Sequence, residues 1–219
     1  MLTIYGALRS RATRPIWLLY ETGTPFQHVP VIQSYRLPDP HAPDAPLNTA
    51  SADFLAINPQ GLVPAMLDGD LLLTESLAIT YYLARKFGGD LAPRDAAEEG
   101  QAVQWALLGA TAVEGPALDI AQAHAKGTAD TPEGNALITA RTEALARPFA
   151  RIEAHLQGRD WLVGDRFTVA DIVLSECVRY AMAQPGIYDA WPALKAWLAR
   201  CHARPGWQQM WAARNAEPA

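Results

Sequence analysis

Apolar and polar positions follow two different periods along this chain, and the change falls near Pro93. Before it, short apolar runs alternate with helical patterns. Leu2-Thr3-Ile4-Tyr5 reads as a strand closed by Gly6, and the polar loop Ala7 to Arg11 leads into a helix from about Ala12 to Thr22. Pro15 fits the first turn of that helix, where a missing N–H costs nothing, and Gly23 stops it. Phe26 to Val31 predicts a second strand, and strand–helix–strand with short links makes the two strands parallel. From Gln33 to Ala52 the prolines Pro38, Pro40, Pro43 and Pro46 predict a long surface loop, of the length that is usually functional or disordered. A short helix, Ala52 to Ile57, precedes two apolar runs flanking Asp68-Gly69-Asp70, which is a hairpin signal. Ser76 to Phe87 predicts the next helix, closed by Gly88-Gly89.

Beyond Pro93 the period is helical throughout. Ala96–Ala125, Glu133–Leu156, Val169–Met182 and Trp191–Arg204 carry apolar residues at three- and four-residue spacing. Thr168-Val169-Ala170-Asp171 reads as a capping box in which Asp171 replaces the usual Glu. The apolar helix it opens, Ile172-Val173-Leu174, is expected at the centre of the second domain. The expected organisation is an α/β domain over 1–88, a linker over 89–93 and an all-helical domain over 94–219.

Composition narrows the function classes. Half of the 219 residues are hydrophobic, enough for a sizeable core and against disorder. A net charge of −5 gives no basic footprint for nucleic acid. No secretory signal and no run near ~18 apolar residues is present, so a soluble cytoplasmic protein is expected. Cys177 and Cys201 form no Cys-x-x-Cys pair and no histidines stand at ligand spacing. No metal site is expected, and both cysteines read as small buried hydrophobes.

Candidate chemistry gathers between Asn58 and Ser76. Pro64 stands at the mouth of a strand, where proline is tolerated because it donates nothing to the ladder. A cis bond there would leave the Val63 backbone to pair with a ligand peptide as an added strand. Glu75-Ser76 opens a helix, with a hydroxyl and free N–H groups placed to hold a carboxylate. Ser10 lies at or just before the first helix.

These segments together, Asn58-Pro59-Gln60-Gly61-Leu62-Val63-Pro64, Glu75-Ser76, Arg9-Ser10-Arg11 leading to Arg14, and Thr168-Val169-Ala170-Asp171, resemble the cytosolic glutathione transferases of the bacterial serine type. The likeness spans essentially the whole chain. It implies a thioredoxin-like N-terminal domain, an all-α C-terminal bundle, glutathione as co-substrate and a cytoplasmic homodimer serving detoxification. Carried onto this sequence, Val63 would pair with the cysteinyl part of glutathione, Pro64 would be the cis proline, and Glu75 and Ser76 would hold the γ-glutamyl end. Ser10 would be the catalytic hydroxyl that activates sulfur; with serine there, no mixed disulfide forms and thiol transfer is disfavoured. Tyr5, at a strand end where other classes keep an activating tyrosine, is read as core. Many relatives place a lysine or histidine beside the hairpin proline to meet the glycyl carboxylate; here Gly61 and Leu62 occupy those places, leaving His41, Arg36 or Arg11 as candidates. Leu8, Trp105, Leu108 and Thr111 are candidates for the electrophile pocket.

The implied reaction is attack by the glutathione thiolate on a small hydrophobic electrophile. Isomerisation or dehalogenation through the same thiolate, and a non-catalytic binding protein on this fold, are the competing readings. A thiol of pKa near 8.5 is only about 3% ionised at pH 7, and lowering it to ~6.5 needs ~2.7 kcal/mol. A hydroxyl bonding to the anion supplies ~1.5–3 kcal/mol and a helix N-terminus ~0.3–1. Those two sources suffice, so no full positive charge is needed beside the sulfur.

Overall fold

The computed structural model describes residues 1–217. Contacts divide the chain into two units: Met1–Gly89 with the stretch from Arg204 onward, and Asp90–Ala203. The pattern of the sequence puts one boundary at 89–93 and everything after it in the helical domain. The stretch from Arg204 instead groups with the first unit.

The first unit is built on a four-stranded sheet in the order β2-β1-β3-β4. β1 (Leu2–Tyr5) runs parallel to β2 (Gln27–Val29), with Ile4 opposite His28, and antiparallel to β3 (Ala65–Asp68), with Tyr5 opposite Ala65. β3 turns at Gly69 (φ 61°) into β4 (Leu71–Thr74), so the hairpin forms where Asp68-Gly69-Asp70 predicts it. β2 is shorter than Phe26–Val31; Pro30 has no N–H to continue the ladder. Tyr5 packs at 6.5 Å from the Phe54 ring, beside the buried Val31 and Ala65, in keeping with a core role.

α1 (Thr13–Thr22) buries Ile16, Trp17, Leu18 and Leu19 and ends at Gly23, whose φ of 63° closes the helix. α2 (Ala52–Ile57) contributes Phe54 to the core, and α3 (Ser76–Phe87) packs on α1. The proline-rich loop is fixed rather than loose. Ile32 bridges to Asn48, whose buried amide donates to Pro40 O at 3.0 Å and Pro46 O at 2.9 Å. A short 3-10 turn, Ser34–Arg36, interrupts the irregular stretch.

The helix from Pro205 to Ala216 lies beyond the last helical segment expected from the sequence. It joins the first unit by docking on α1. Glu21 of α1 accepts from Trp17 Nε1 at 2.9 Å and from Arg204 Nη2 at 2.8 Å. Gly206 lets the backbones approach: a Cβ there would stand 2.8 Å from the Glu21 nitrogen. A proline at the first turn and the three-residue spacing of the buried Trp207 and Met210 are the sequence signals for this helix.

The second unit is helical: α4 (Ala96–Leu108), α5 (Glu114–Ala125), α6 (Pro132–Leu156), α7 (Val169–Val178) and α8 (Pro192–His202). The Pro205–Ala216 helix of the first unit follows as α9. The continuous helix expected over 96–125 is split by a wider π turn, Gly109–Val113, just before Pro116, whose ring cannot bond back to the preceding turn. Gly109 also lets α7 come close, since a Cβ there would meet Cys177 Sγ at 3.0 Å. α7 is buried along its whole length, as its apolar run predicts, and tightens into a 3-10 turn over Arg179–Ala183.

Asp171, three residues into the cap of α7, gathers that unit's local hydrogen bonds. Its carboxylate accepts from the N–H of Thr168 at 2.9 Å, the N–H of Leu162 at 3.0 Å and Trp197 Nε1 at 2.9 Å. Burial pushes its carboxyl up from 3.8 to about 6, against the pull of those donors.

Candidate functional site

The turn between β1 and α1 carries Ser10 and packs against Val63 and Pro64. Gly6 has φ 141°, and a Cβ there would press on Ala12 Cβ at 3.1 Å and Val63 Cβ at 3.2 Å. Only glycine lets this turn fold against the strand mouth at Val63-Pro64. The turn is held from below: Gly6 N–H bonds to Val29 O and Ala7 N–H to Val31 O, both at 3.0 Å. His28 Nε2 lies 2.7 Å from Gly6 O, and Gln33 Nε2 donates to Arg9 O at 3.2 Å.

Ser10 is carried on this turn, ahead of α1, and is 9% exposed. Its Oγ donates to Ala7 O at 2.6 Å and accepts from Ala12 N–H at 3.1 Å. The single hydroxyl proton is therefore committed within the turn in this structure. Bonding to an anion requires it to swing from the Ala7 carbonyl.

The Val63–Pro64 bond is cis. Strand pairing begins only at Ala65, so the Val63 backbone stands outside the sheet register. Buried Asn58 braces the approach, donating to Leu62 O at 2.8 Å and accepting from Gln60 N–H at 3.2 Å. Gly61 has φ 61°, and a Cβ there would lie 2.8 Å from Thr49 O. A side chain of any kind is excluded at that place, which explains physically why no basic residue stands there. Leu62, the neighbouring position, is 58% exposed.

At the other end of the hairpin Glu75 takes φ 66° and ψ 111°, a conformation non-glycine residues rarely adopt, at a cost of about 1–3 kcal/mol. Ser76 opens α3 and is buried. Its Oγ accepts from Arg14 Nη1 at 2.8 Å, leaving its own proton to donate elsewhere. Arg14 is 1% exposed and ties α1 to the start of α3. The sequence marks Arg14 only as the end of the Ser10 motif; its bond to a residue 62 positions away carries no local signal.

The other expected residues are dispersed. His41 is exposed, with its backbone N–H donating to Asp39 Oδ1 at 2.9 Å; Arg36 reaches Gln33 Oε1 at 3.4 Å; Arg11 is exposed beside Ser10. Leu8 is buried, and its N–H donates to Glu217 Oε1 at 2.9 Å. In the second unit Trp105 is 2% exposed, its ring 4.7 Å from that of His155, so it packs inside that unit. Leu108 is half-buried, and exposed Thr111 donates to Leu107 O at 2.7 Å. Among the described residues no group of three or more His, Cys, Asp or Glu side chains is placed to hold a metal ion. Among them, too, no helix is long and apolar enough to cross a membrane.

A four-stranded β2-β1-β3-β4 sheet with a cis proline at the mouth of β3, and a helical unit beside it in the chain, define a thioredoxin-like α/β domain and an all-α domain. Residues 1–85 match the family described as Glutathione S-transferase, N-terminal domain, and 117–205 match Glutathione S-transferase, C-terminal domain. The chain is 32% identical to Glutathione S-transferase 3 of Zea mays, over 97% of this chain and 94% of that one. It is 28% identical to glutathione S-transferase GstB of Escherichia coli (strain K12), over 94% and 95%. Among solved structures, the theta class glutathione S-transferase of Xanthomonas axonopodis pv. citri, with glutathione bound, superposes with a TM-score of 0.78 at 28% identity, covering 95% of each chain. The chain belongs to the glutathione S-transferase family; it is a transferase with glutathione as its co-substrate.

Proposed function

We propose that Ser10 activates the glutathione thiol for attack on a small hydrophobic electrophile. The observation that carries this is the Gly6 turn, which seats the Ser10 loop against Val63-Pro64 while Arg14 joins the same helix to Ser76. The cysteinyl backbone of glutathione pairs with Val63, and its γ-glutamyl carboxylate takes the hydroxyl proton of Ser76 and the N–H groups opening α3. Glu75 meets the γ-glutamyl ammonium. His41, Arg36 and Arg11 are the candidates for the glycyl carboxylate, the role that Gly61 is sterically barred from filling. Leu8, Trp105, Leu108 and Thr111 are the candidate residues for binding the electrophile.

Swinging the Ser10 proton from Ala7 O to sulfur exchanges a neutral hydrogen bond worth about 0.5–1.5 kcal/mol for one to an anion worth about 1.5–3. The exchange favours the thiolate, but by less than the full anionic bond. With the ~0.3–1 kcal/mol of a helix N-terminus it falls somewhat short of the ~2.7 kcal/mol that the sequence reading assigns to these two sources. The protein functions as a cytoplasmic homodimer in detoxification on this reading; light scattering tests the assembly, and a monomer mass would count against it. Calorimetric titration with glutathione, followed by turnover and product analysis across an electrophile panel, tests the activity. No heat at millimolar glutathione would reject it. Products lacking a thioether would move it to isomerisation or dehalogenation.

A further inference from the structure

One contact of the Ser10 turn belongs to none of the roles above. Successive N–H groups of Leu8 and Arg9 both point at one carboxylate, that of Glu217: Leu8 N–H to Oε1 at 2.9 Å and Arg9 N–H to Oε2 at 3.0 Å. Arg9 Nη2 adds a contact to the Glu217 carbonyl at 3.5 Å. Two adjacent backbone donors converging on an anion form a small concave anion seat of the kind that binds carboxylates and phosphates. Here the chain fills it with its own side chain, more than 200 residues away in sequence, delivered by α9 through the Glu21–Arg204 clamp.

The turn from Gly6 to Ala12 is thus gripped on two sides. β2 holds it through Gly6, Val31 through Ala7 N–H and Gln33 through Arg9 O, and Glu217 holds the N–H groups of Leu8 and Arg9. Ser10 follows immediately, and its Oγ takes its bearings from Ala7 O and Ala12 N–H on the same turn. We infer that Glu217 is a positioning residue for Ser10: by seating the Leu8 and Arg9 amides it fixes the direction from which the hydroxyl meets the glutathione sulfur. This rests on the assignment of Ser10 as the activating hydroxyl.

The sign of the effect separates this role from its rivals. A carboxylate near the sulfur, acting through its field alone, opposes thiolate formation, so removing its charge lowers the thiol pKa. A residue that aligns the Ser10 hydroxyl does the reverse, and its loss raises the thiol pKa. A purely structural anchor changes thermal stability and leaves the pKa alone.

The test is Glu217→Gln in the full chain, which keeps the side-chain shape and one acceptor, measured beside Ser10→Ala and the double variant. The readout is the pKa of bound glutathione from its ultraviolet thiolate absorbance, with kcat and KM at pH 6.5. Glu217→Gln is expected to raise the thiol pKa by roughly half a unit and to lower kcat about threefold, a tenfold change per unit being the conversion, with KM for glutathione held within about twofold. In the Ser10→Ala background the same substitution is expected to move the pKa no further, because a residue acting through Ser10 has nothing left to position. A pKa that falls, or one that rises equally in both backgrounds, overturns the inference, as does a fall in Tm with the pKa unchanged. If Ser10→Ala itself leaves the pKa in place, the assignment of Ser10 has failed and this inference falls with it; if only Glu217→Gln is silent, Ser10 stands and Glu217 is an anchor.

Discussion

Replacing Ser10 with alanine perturbs two things that the structure lets one separate. The hydroxyl accepts from Ala12 N–H at 3.1 Å and donates to Ala7 O at 2.6 Å, so its loss strips the turn ahead of α1 of two local hydrogen bonds. Each such bond contributes about 0.5–1.5 kcal/mol of stability. The catalytic cost is a different quantity. The thiolate loses a charge-assisted bond of about 1.5–3 kcal/mol, but forming that bond already required giving up the Ala7 contact at about 0.5–1.5. Taken near the middle of both ranges, the net loss is about 1–1.5 kcal/mol, which corresponds to a thiol pKa raised by roughly 0.7–1.1 units. Below pH 7, kcat/KM with a chromogenic electrophile should fall about five- to thirteenfold, converging towards the parent at alkaline pH where the thiol ionises unaided. Calorimetry should show glutathione affinity nearly unchanged, because Val63, Glu75 and Ser76 are untouched. An unchanged thiol pKa together with an intact rate would refute Ser10 as activator. A loss that stays constant across pH would refute the argument from ionisation.

Three further outcomes follow from geometry. Ser76→Ala is expected to weaken glutathione binding about tenfold and to lower Tm as well, since it removes the acceptor of a buried Arg14 N–H along with a ligand contact; calorimetry and thermal melts read the two effects. Asp171→Ala leaves the N–H groups of Thr168 and Leu162 and the Trp197 indole without their shared acceptor, at roughly 3 kcal/mol or more, and a midpoint shift below 1 kcal/mol in urea would contradict that. Burial holds the Asp171 carboxyl at about 6, above its ordinary 3.8, so the folded chain binds this proton more tightly than the unfolded one. Acid therefore favours the fold at this group: its contribution should decline as pH rises from about 4 to about 6 and level off above, a slope absent in Asp171→Asn. Gly206→Ala forces a Cβ to 2.8 Å from the Glu21 nitrogen, which cannot retreat as a side-chain tip would, so a loss of about 1–3 kcal/mol is expected in denaturant melts.

Features whose cause is local were legible in the sequence. The hairpin at Asp68-Gly69-Asp70, the proline at the mouth of β3, the start of α3 at Ser76 and the cap of α7 are each dictated by residues within a few positions of one another. What escaped is tertiary. The bond from Arg14 to Ser76, the clamp of Glu21 on Arg204 and the seating of Leu8 and Arg9 on Glu217 join residues far apart in sequence. None leaves a periodic trace. α9 was missed because only Trp207, Met210 and their neighbours mark its buried stripe in an otherwise polar segment. The continuous helix read across 96–125 overlooked Pro116, which costs a regular turn. The open question of the glycyl contact has a steric root at Gly61, where Thr49 O occupies the space a lysine would need.

Because α9 folds back onto α1, the polypeptide leaves the first unit at Gly89 and re-enters it at Arg204. The helical portion is in effect an insertion spliced into a discontinuous α/β domain. A fragment ending at the apparent linker would omit the contacts of Glu21, Leu8 and Arg9 with Arg204 and Glu217, and would present their bare side to solvent. Dissecting this molecule into independent halves therefore calls for a circular rearrangement, with residues 204–217 fused ahead of Met1 or after Gly89, rather than a single cut.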